Sequence, residues 1–443
     1  MRFSRLAMSA GLGLALAAPS LPLAAQPPAP AAASARADGR AAVAEVRRII
    51  AERYVLPERR PALDAILAQG LASGRYDGAD PVQIAERINA DLDTAGHDRH
   101  LNFRYDPQAA AGLAARTAQG EPDEGAFERQ ARAANHGVTE LRVLPGNVRY
   151  MAYDGFMWIG PESAAALETA MRFLAGGDAV IIDIRRNGGG SPDAVQYLVS
   201  HFLPPGRPLV TFHMNGQATP NSLSTLAELP AGRMVGKPLY VLTSGGTASA
   251  AEEFSGHVGG YRIGELVGET TAGAGFRNEL VPVAGGFVLS VSVGRAVLAS
   301  TGRDWEAVGL APTVPTAVAG ALDVAHALAL RRLAAAAPAQ ARPRLEALAD
   351  GVAARGERRS PALPLAAYAG SYGERVLSVE DGRLFYRRGT RPRTALIPLG
   401  GNAFAIDTDP ALRLEFQVAG AQAAAFEMRP AGGPSQGRFA RTP

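Results

Sequence analysis

The 443-residue sequence contains no cysteine, which excludes disulfide staples, thiolate catalysis and cysteine-ligated zinc. It holds a single lysine, Lys237, so chemistry that needs an amine base has one place to find it. No dense arginine run interleaved with aromatics occurs, so the footprint of a nucleic-acid-binding protein is missing. The formal charge is +3, and removing Arg2 and Arg5 with a leader leaves about +1. Beyond the N-terminal leader no apolar run is long enough to cross a bilayer. What is present is 47% hydrophobic residues over a length that exceeds one ordinary core, so two or three globular domains are expected.

Residues 1–25 read as a secretory signal peptide. Arg2 and Arg5 form a charged start, Leu6 to Ala18 is apolar, and Ala24 and Ala25 offer a cleavage point before Gln26. The apolar stretch is short and broken by Gly and Pro, which favours cleavage over a retained anchor. The expectation is a secreted or periplasmic protein with no integral membrane segment. Residues 26–38 are rich in Pro and Ala and read as a flexible lead-in.

Three textures follow. Residues 39–95 carry helical spacing: Val43, Val46, Ile49, Ile50 and Tyr54 in one stretch, then Ile84, Ile88 and Leu92 after the start signal Asp80-Pro81. Residues 96–320 alternate strands and helices, which predicts an α/β domain. Ala179–Ile184 and Pro238–Leu242 are continuous apolar runs of the kind buried on both faces, and Phe287–Val293 is a third strand. Residues 321–364 form a helical connection and linker. Residues 365–443 read as a small β domain, with Glu380-Asp381-Gly382 and Gly420 marking hairpins.

The chemistry centres on Thr247-Ala248-Ser249-Ala250-Ala251-Glu252. Ser249 follows a buried strand and a Gly-Gly turn and stands at the start of a helix. Backbone N–H groups there have no intrahelical partner, so the N–H of Ala250 can hold an oxyanion. The competing reading makes Ser249 or Thr247 a helix cap, with Glu252 completing a capping box. The segment Asp183-Ile184-Arg185-Arg186-Asn187-Gly188-Gly189-Gly190 ends a strand in three glycines, which lets backbone approach a ligand closely, or simply makes a tight turn. It lacks the Lys and Ser/Thr of a phosphate-binding loop.

A serine nucleophile needs a base. Lys237 lies at the far end of the strand leading to Ser249, some 16 Å away, too far for a hydrogen bond. The base is therefore a histidine. His257 is about 12 Å along the helix and is disfavoured. His97, His100, His136, His201, His213 and His326 remain open on spacing alone. Glu306, after the third strand, is an acid that could orient the imidazole, or a solvated loop residue.

Taken together, IIDIRRNGGG, TSGGTASAAEEF and VGETTAGAG resemble, in order, three motifs of one family. It groups the tail-specific (carboxyl-terminal processing) proteases, the tricorn core and interphotoreceptor retinoid-binding protein. The resemblance implies a crotonase-like (ClpP/crotonase) core of ββα units over residues 96–320. It implies Ser249 as nucleophile, with Ala250 and Gly189 as oxyanion donors and Gly190 as the register alternative. The tail-specific branch carries its catalytic lysine where Ala274 stands here. The tricorn-like and retinoid-binding-like branches carry an early histidine, matched by His100, and an acid matched by Glu306. Tricorn has a serine before that histidine where this chain has Arg99. The interval from His100 to Asp183 is too short for an inserted PDZ domain. The implied activity is an exported serine peptidase acting on a peptide or protein substrate, with no metal and no cofactor. Two rivals share the motifs: a non-catalytic protein holding a hydrophobic ligand, and an esterase or amidase on small molecules.

Overall fold

The computed structural model describes residues 38–78, 80–119, 124–357 and 359–442. The expected leader, and all of the lead-in except Asp38, lie outside the described residues. Helices α1 (Gly39–Arg53), α2 (Arg60–Ala72) and α3 (Pro81–Gly96) come first. The Asp38 carboxylate accepts from Arg40 and Ala41 N–H, and Asp80 caps α3 in the same way with Pro81 at its first turn. His97 ends α3 in a left-handed conformation, φ 47°, and turns the chain toward Asp98 and His100.

The following elements are β1 (Asn102–Tyr105), α4 (Pro107–Gln119), α5 (Glu124–Ala133), β2 (Val138–Leu144), β3 (Val148–Tyr153) and α6 (Pro161–Ala175). Next come β4 (Ala179–Asp183), α7 (Pro192–Ser200), β5 (Pro208–Met214), β6 (Asn221–Ser224) and β7 (Leu239–Thr243). The region closes with α8 (Ala250–Gly260), β8 (Glu265–Gly268), β9 (Phe276–Val283), β10 (Phe287–Leu298) and β11 (Val314–Pro315). One sheet runs β11-β8-β7-β4-β3-β2. Its pairs are parallel except β2–β3. Val180 and Ile182 of β4, with Leu239 and Val241 of β7, face a core shared with α6, α7 and α8. Ala179, Ile181, Tyr240 and Leu242 face the other side, against α9 (Ala321–Ala336) and α10 (Arg342–Glu357). Both faces are covered, which is why these strands carry apolar side chains on both faces up to their C-terminal Asp183 and Thr243.

A second sheet is antiparallel, ordered β1-β10-β5-β6 with β9 also on β10. Helices α1 to α3 do not stand alone. Val43, Val46, Ile49 and Ile50 share one core with Phe103, Phe287, Leu289 and Val291 of this sheet. Each such fully buried side chain is worth about 1.5–3 kcal/mol, so the helices hold β1, and with it His100, against the rest of the fold. The strand expected over Phe287–Val293 extends to Leu298.

The C-terminal segment forms an eight-stranded antiparallel sheet in chain order, with hairpins Arg375–Glu380/Arg383–Arg388 and Asp409–Ala419/Gln422–Pro430. Pro410 packs on Gly351 of α10, where a Cβ would sit 2.6 Å from the Pro410 ring. No helix among the described residues is long and apolar enough to cross a membrane.

Candidate active site

The parallel strands β4, β7 and β8 deliver their C-terminal ends to one edge of the sheet, the usual location of a site in such a layout. Beyond β7, the loop from Ser244 to Ser249 is tied to the loop beyond β4. Thr247 Oγ1 accepts from Ser244 N–H and donates to Ile184 C=O. Ser244 Oγ donates to Arg185 C=O at 2.6 Å, and Ala248 N–H to Asn187 C=O at 3.0 Å. Ser249 itself has φ 55° and ψ −120°. For a residue with a side chain that backbone costs about 1–3 kcal/mol and persists only where neighbours impose it.

The neighbour that imposes it is Glu252. Its buried carboxylate accepts four hydrogen bonds: from Ser249 N–H at 2.9 Å, Thr271 Oγ1 at 2.6 Å, Gly273 N–H at 2.7 Å and Ala274 N–H at 2.8 Å. The capping interaction foreseen for Glu252 therefore exists together with a half-buried Ser249 that lines a cavity, and the two readings are not exclusive. Glu252 also anchors the glycine-rich turn to the serine helix.

Gly189 presses on the same point. A Cβ built there would lie 2.7 Å from Ser249 Cβ and 3.0 Å from Ala250 N, at φ 108°. Only glycine fits. Its N–H, however, donates to Asn187 Oδ1 at 2.9 Å, while the Asn187 amide donates to Tyr153 C=O. Gly190 N–H donates to no group among the described residues, and Gly190 lines a cavity of about 180 Å³ together with Ser249 and Ala250. The Ala250 N–H is likewise outside the helix ladder, as a first-turn group must be.

The acid and the histidine meet in a second cluster. Asp98, His100 and Glu306 bring ligand atoms within 4.8 Å of one another. Asp98 Oδ1 accepts from His100 N–H at 2.8 Å and Leu101 N–H at 3.2 Å, a turn that aims the imidazole. Asp98 Oδ2 and His100 Nδ1 are buried and have no hydrogen-bond partner among the described residues. Glu306 Oε2 accepts from Gly275 N–H at 2.6 Å and Phe276 N–H at 2.9 Å, and Oε1 from Arg99 N–H at 3.2 Å. Burial, and then the charge of Asp98, push the Glu306 carboxyl up to about 7 against the pull of those three N–H groups. Burial lowers the His100 pKa, partly offset by Asp98. One imidazole and two carboxylates are also the donor types of a divalent-cation site, but three backbone N–H groups already occupy Glu306 and would compete with a metal.

Four consecutive N–H groups, Gly273 to Phe276, thus join the clusters. Glu252 holds the first two and Glu306 the second two. No hydrogen bond links His100 to Ser249 directly. Catalytic contacts of this type commonly tighten only when substrate is bound.

The remaining histidines are spent elsewhere or lie open. His136 bonds Ser163 Oγ, His201 bonds Tyr197 C=O, and His326 bonds Pro145 C=O. His97 and His213 are exposed, and His257 is sealed beside Glu253. Lys237 Nζ donates to Ala175 and Gly177 C=O, away from the serine. Sequence reasoning passed over Asp98, Asn187 and Thr271. The Asp-x-His spacing was the one visible signal for Asp98. Nothing local marked the other two.

With this geometry in place, the comparisons give the family. Residues 147–316 match peptidase family S41, and residues 29–132 match the N-terminal domain of Peptidase_S41 in eukaryotic IRBP. The chain belongs to the S41 peptidase family. It is similar to a carboxyl-terminal-processing protease of Synechocystis, 32% identical over 120 residues, 27% of this chain and 27% of that one. It is also similar to the carboxy-terminal processing protease CtpB of Bacillus subtilis, 27% identical over 151 residues, 34% of this chain and 30% of that one. The matches thus span less than a third of either relative's length. A solved photosystem II D1 C-terminal processing protease aligns with 63% of this chain and 92% of its own, at 18% identity and TM-score 0.41.

Proposed function

We propose that the chain is an exported serine peptidase that cleaves peptide bonds through an acyl-enzyme on a crotonase-like core. Ser249 attacks the carbonyl, His100 takes its proton, and Glu306 orients the imidazole and stabilises its cation. The N–H of Ala250 and the Gly189–Gly190 turn hold the oxyanion. Gly189 donates to it only after leaving Asn187, whereas Gly190 has its N–H free, so the turn offers two registers. Water then releases the acyl group. A general base contributes about a hundred- to ten-thousandfold and an oxyanion donor about a hundred- to thousandfold. No metal or organic cofactor takes part. Export rests on the leader at residues 1–25.

The observation that carries this reading is the strained Ser249 backbone at the mouth of a cavity, pinned by Glu252 and pressed by Gly189. Glu253, Arg277 and Asn278 line that cavity, a polar lining that does not favour an apolar ligand over a peptide. A fluorophosphonate probe is expected to label the wild-type protein and to leave Ser249→Ala unlabelled. Labelling of the variant at the wild-type rate rejects Ser249.

A further inference from the structure

Ser249, Glu253 and His257 are spaced by four residues and so fall on one face of α8. Ser249 and Glu253 both line the cavity beside the nucleophile, while His257 lies deeper and is fully buried. Glu253 is 4% exposed, yet no hydrogen-bond donor reaches its carboxylate among the described residues. His257 Nε2 lies 3.5 Å from Glu253 Oε1, and both ring nitrogens of His257 lack a hydrogen-bond partner among the described residues. A buried carboxylate without donors is costly, and one facing a cavity can recover that cost from whatever enters. Arg277, the other charge on the lining, is exposed and lies over the Phe212 ring at 5.1 Å. Solvent screens it, whereas the enclosed Glu253 is screened far less. Asn278, also on the lining, has its amide committed to Ser290 Oγ.

We infer that the cavity is the subsite for the residue on the acyl side of the cleaved bond, and that Glu253 selects a cationic side chain, lysine or arginine, there. This rests on Ser249 as nucleophile and names the substrate class of that same site. The occupant's ammonium or guanidinium supplies the donors that Glu253 lacks, and an apolar side chain of similar size leaves the carboxylate buried and unpaired.

Two peptidyl diphenyl phosphonates test it, identical except for a lysine-like or a leucine-like side chain at the reacting residue. The full chain is expected to react roughly tenfold or more faster with the cationic probe. In Glu253→Gln the ratio of the two rates falls to near one, and in Glu253→Asp, which keeps the charge, the preference returns. The ratio is read on one preparation, so a loss of folded protein cancels. A wild-type ratio at or below one overturns the inference, as does a ratio that Glu253→Gln leaves intact. Failure of the wild-type protein to react with either phosphonate or with a small fluorophosphonate instead overturns the assignment of Ser249.

Discussion

The two halves of the candidate site are built on opposite terms. Around Ser249 the backbone is tied down: Glu252 takes four hydrogen bonds, and Thr247, Ser244 and Ala248 lash the serine loop to the strand beside it. Around His100 the groups are left wanting. Asp98 Oδ2 and His100 Nδ1 are buried without partners, and Glu306 is held close to a like charge. A nucleophile on a strained backbone has to be fixed in place. A base has to take the serine proton and pass it to the leaving group, which a fully satisfied network would resist. The first half should therefore carry stability and the second reactivity.

His100→Leu probes the reactive half. The expected loss in kcat/KM is roughly 10³–10⁴-fold, the share of a base acting in concert with its serine. Unfolding in urea should show a midpoint equal to or above wild type, because the change removes a buried, unpartnered nitrogen. A clear loss of stability would mean that the imidazole is a structural element and would dissolve the contrast.

Glu252→Ala probes the other half. It orphans three backbone N–H groups and the Thr271 hydroxyl at once, and releases the strain at Ser249. A stability loss of about 3–5 kcal/mol is expected, read from the same urea titration. A loss below about 1 kcal/mol, within the range of an ordinary surface change, would show that the Ser249 backbone is held by something else.

The legibility of the site follows the same division. The serine half could be read because its parts are local: an apolar strand, a Gly-Gly turn and a first helical turn fall within fifteen residues, and the three glycines after Asp183 mark the close approach. The near-absence of lysine argued against a whole mechanism, and the single Lys237 does turn away to Ala175 and Gly177. The full role of Glu252 was hidden, because the sequence offered a capping box while three of its four donors come from the turn some twenty residues on. Glu306 looked like any loop acid, since the N–H groups that hold it belong to Arg99, Gly275 and Phe276. Those contacts exist only after β9 and β1 have been brought together on β10. The N-terminal helices were visible from their periodicity, but their packing onto the antiparallel sheet was not, since an apolar stripe does not name what covers it.

The smallest expected effect is the most specific to the reactive half. In the proposed mechanism Glu306 is ionised when it supports the His100 cation, and its carboxyl stands at about 7 instead of 4.5. Activity should then rise with pH through about 7. In the same interval the folded protein retains a proton that the unfolded chain has lost. The contribution of Glu306 to stability is therefore greatest below its unfolded pKa and falls as pH rises toward its folded one. Asp98→Asn removes the neighbouring charge and keeps an oxygen for the turn that holds His100 and Leu101 N–H. With that repulsion gone the Glu306 carboxylate ionises more readily, and the His100 cation loses a favourable charge. Both changes move the acid limb of the kcat/KM profile to lower pH, by roughly half a unit to one unit. The plateau above it should change by less than about tenfold, since no reacting atom is lost. An acid limb that stays in place would show that Asp98 and Glu306 do not share a field, and that the unpaired groups around His100 arise from packing and not from a role in tuning the base.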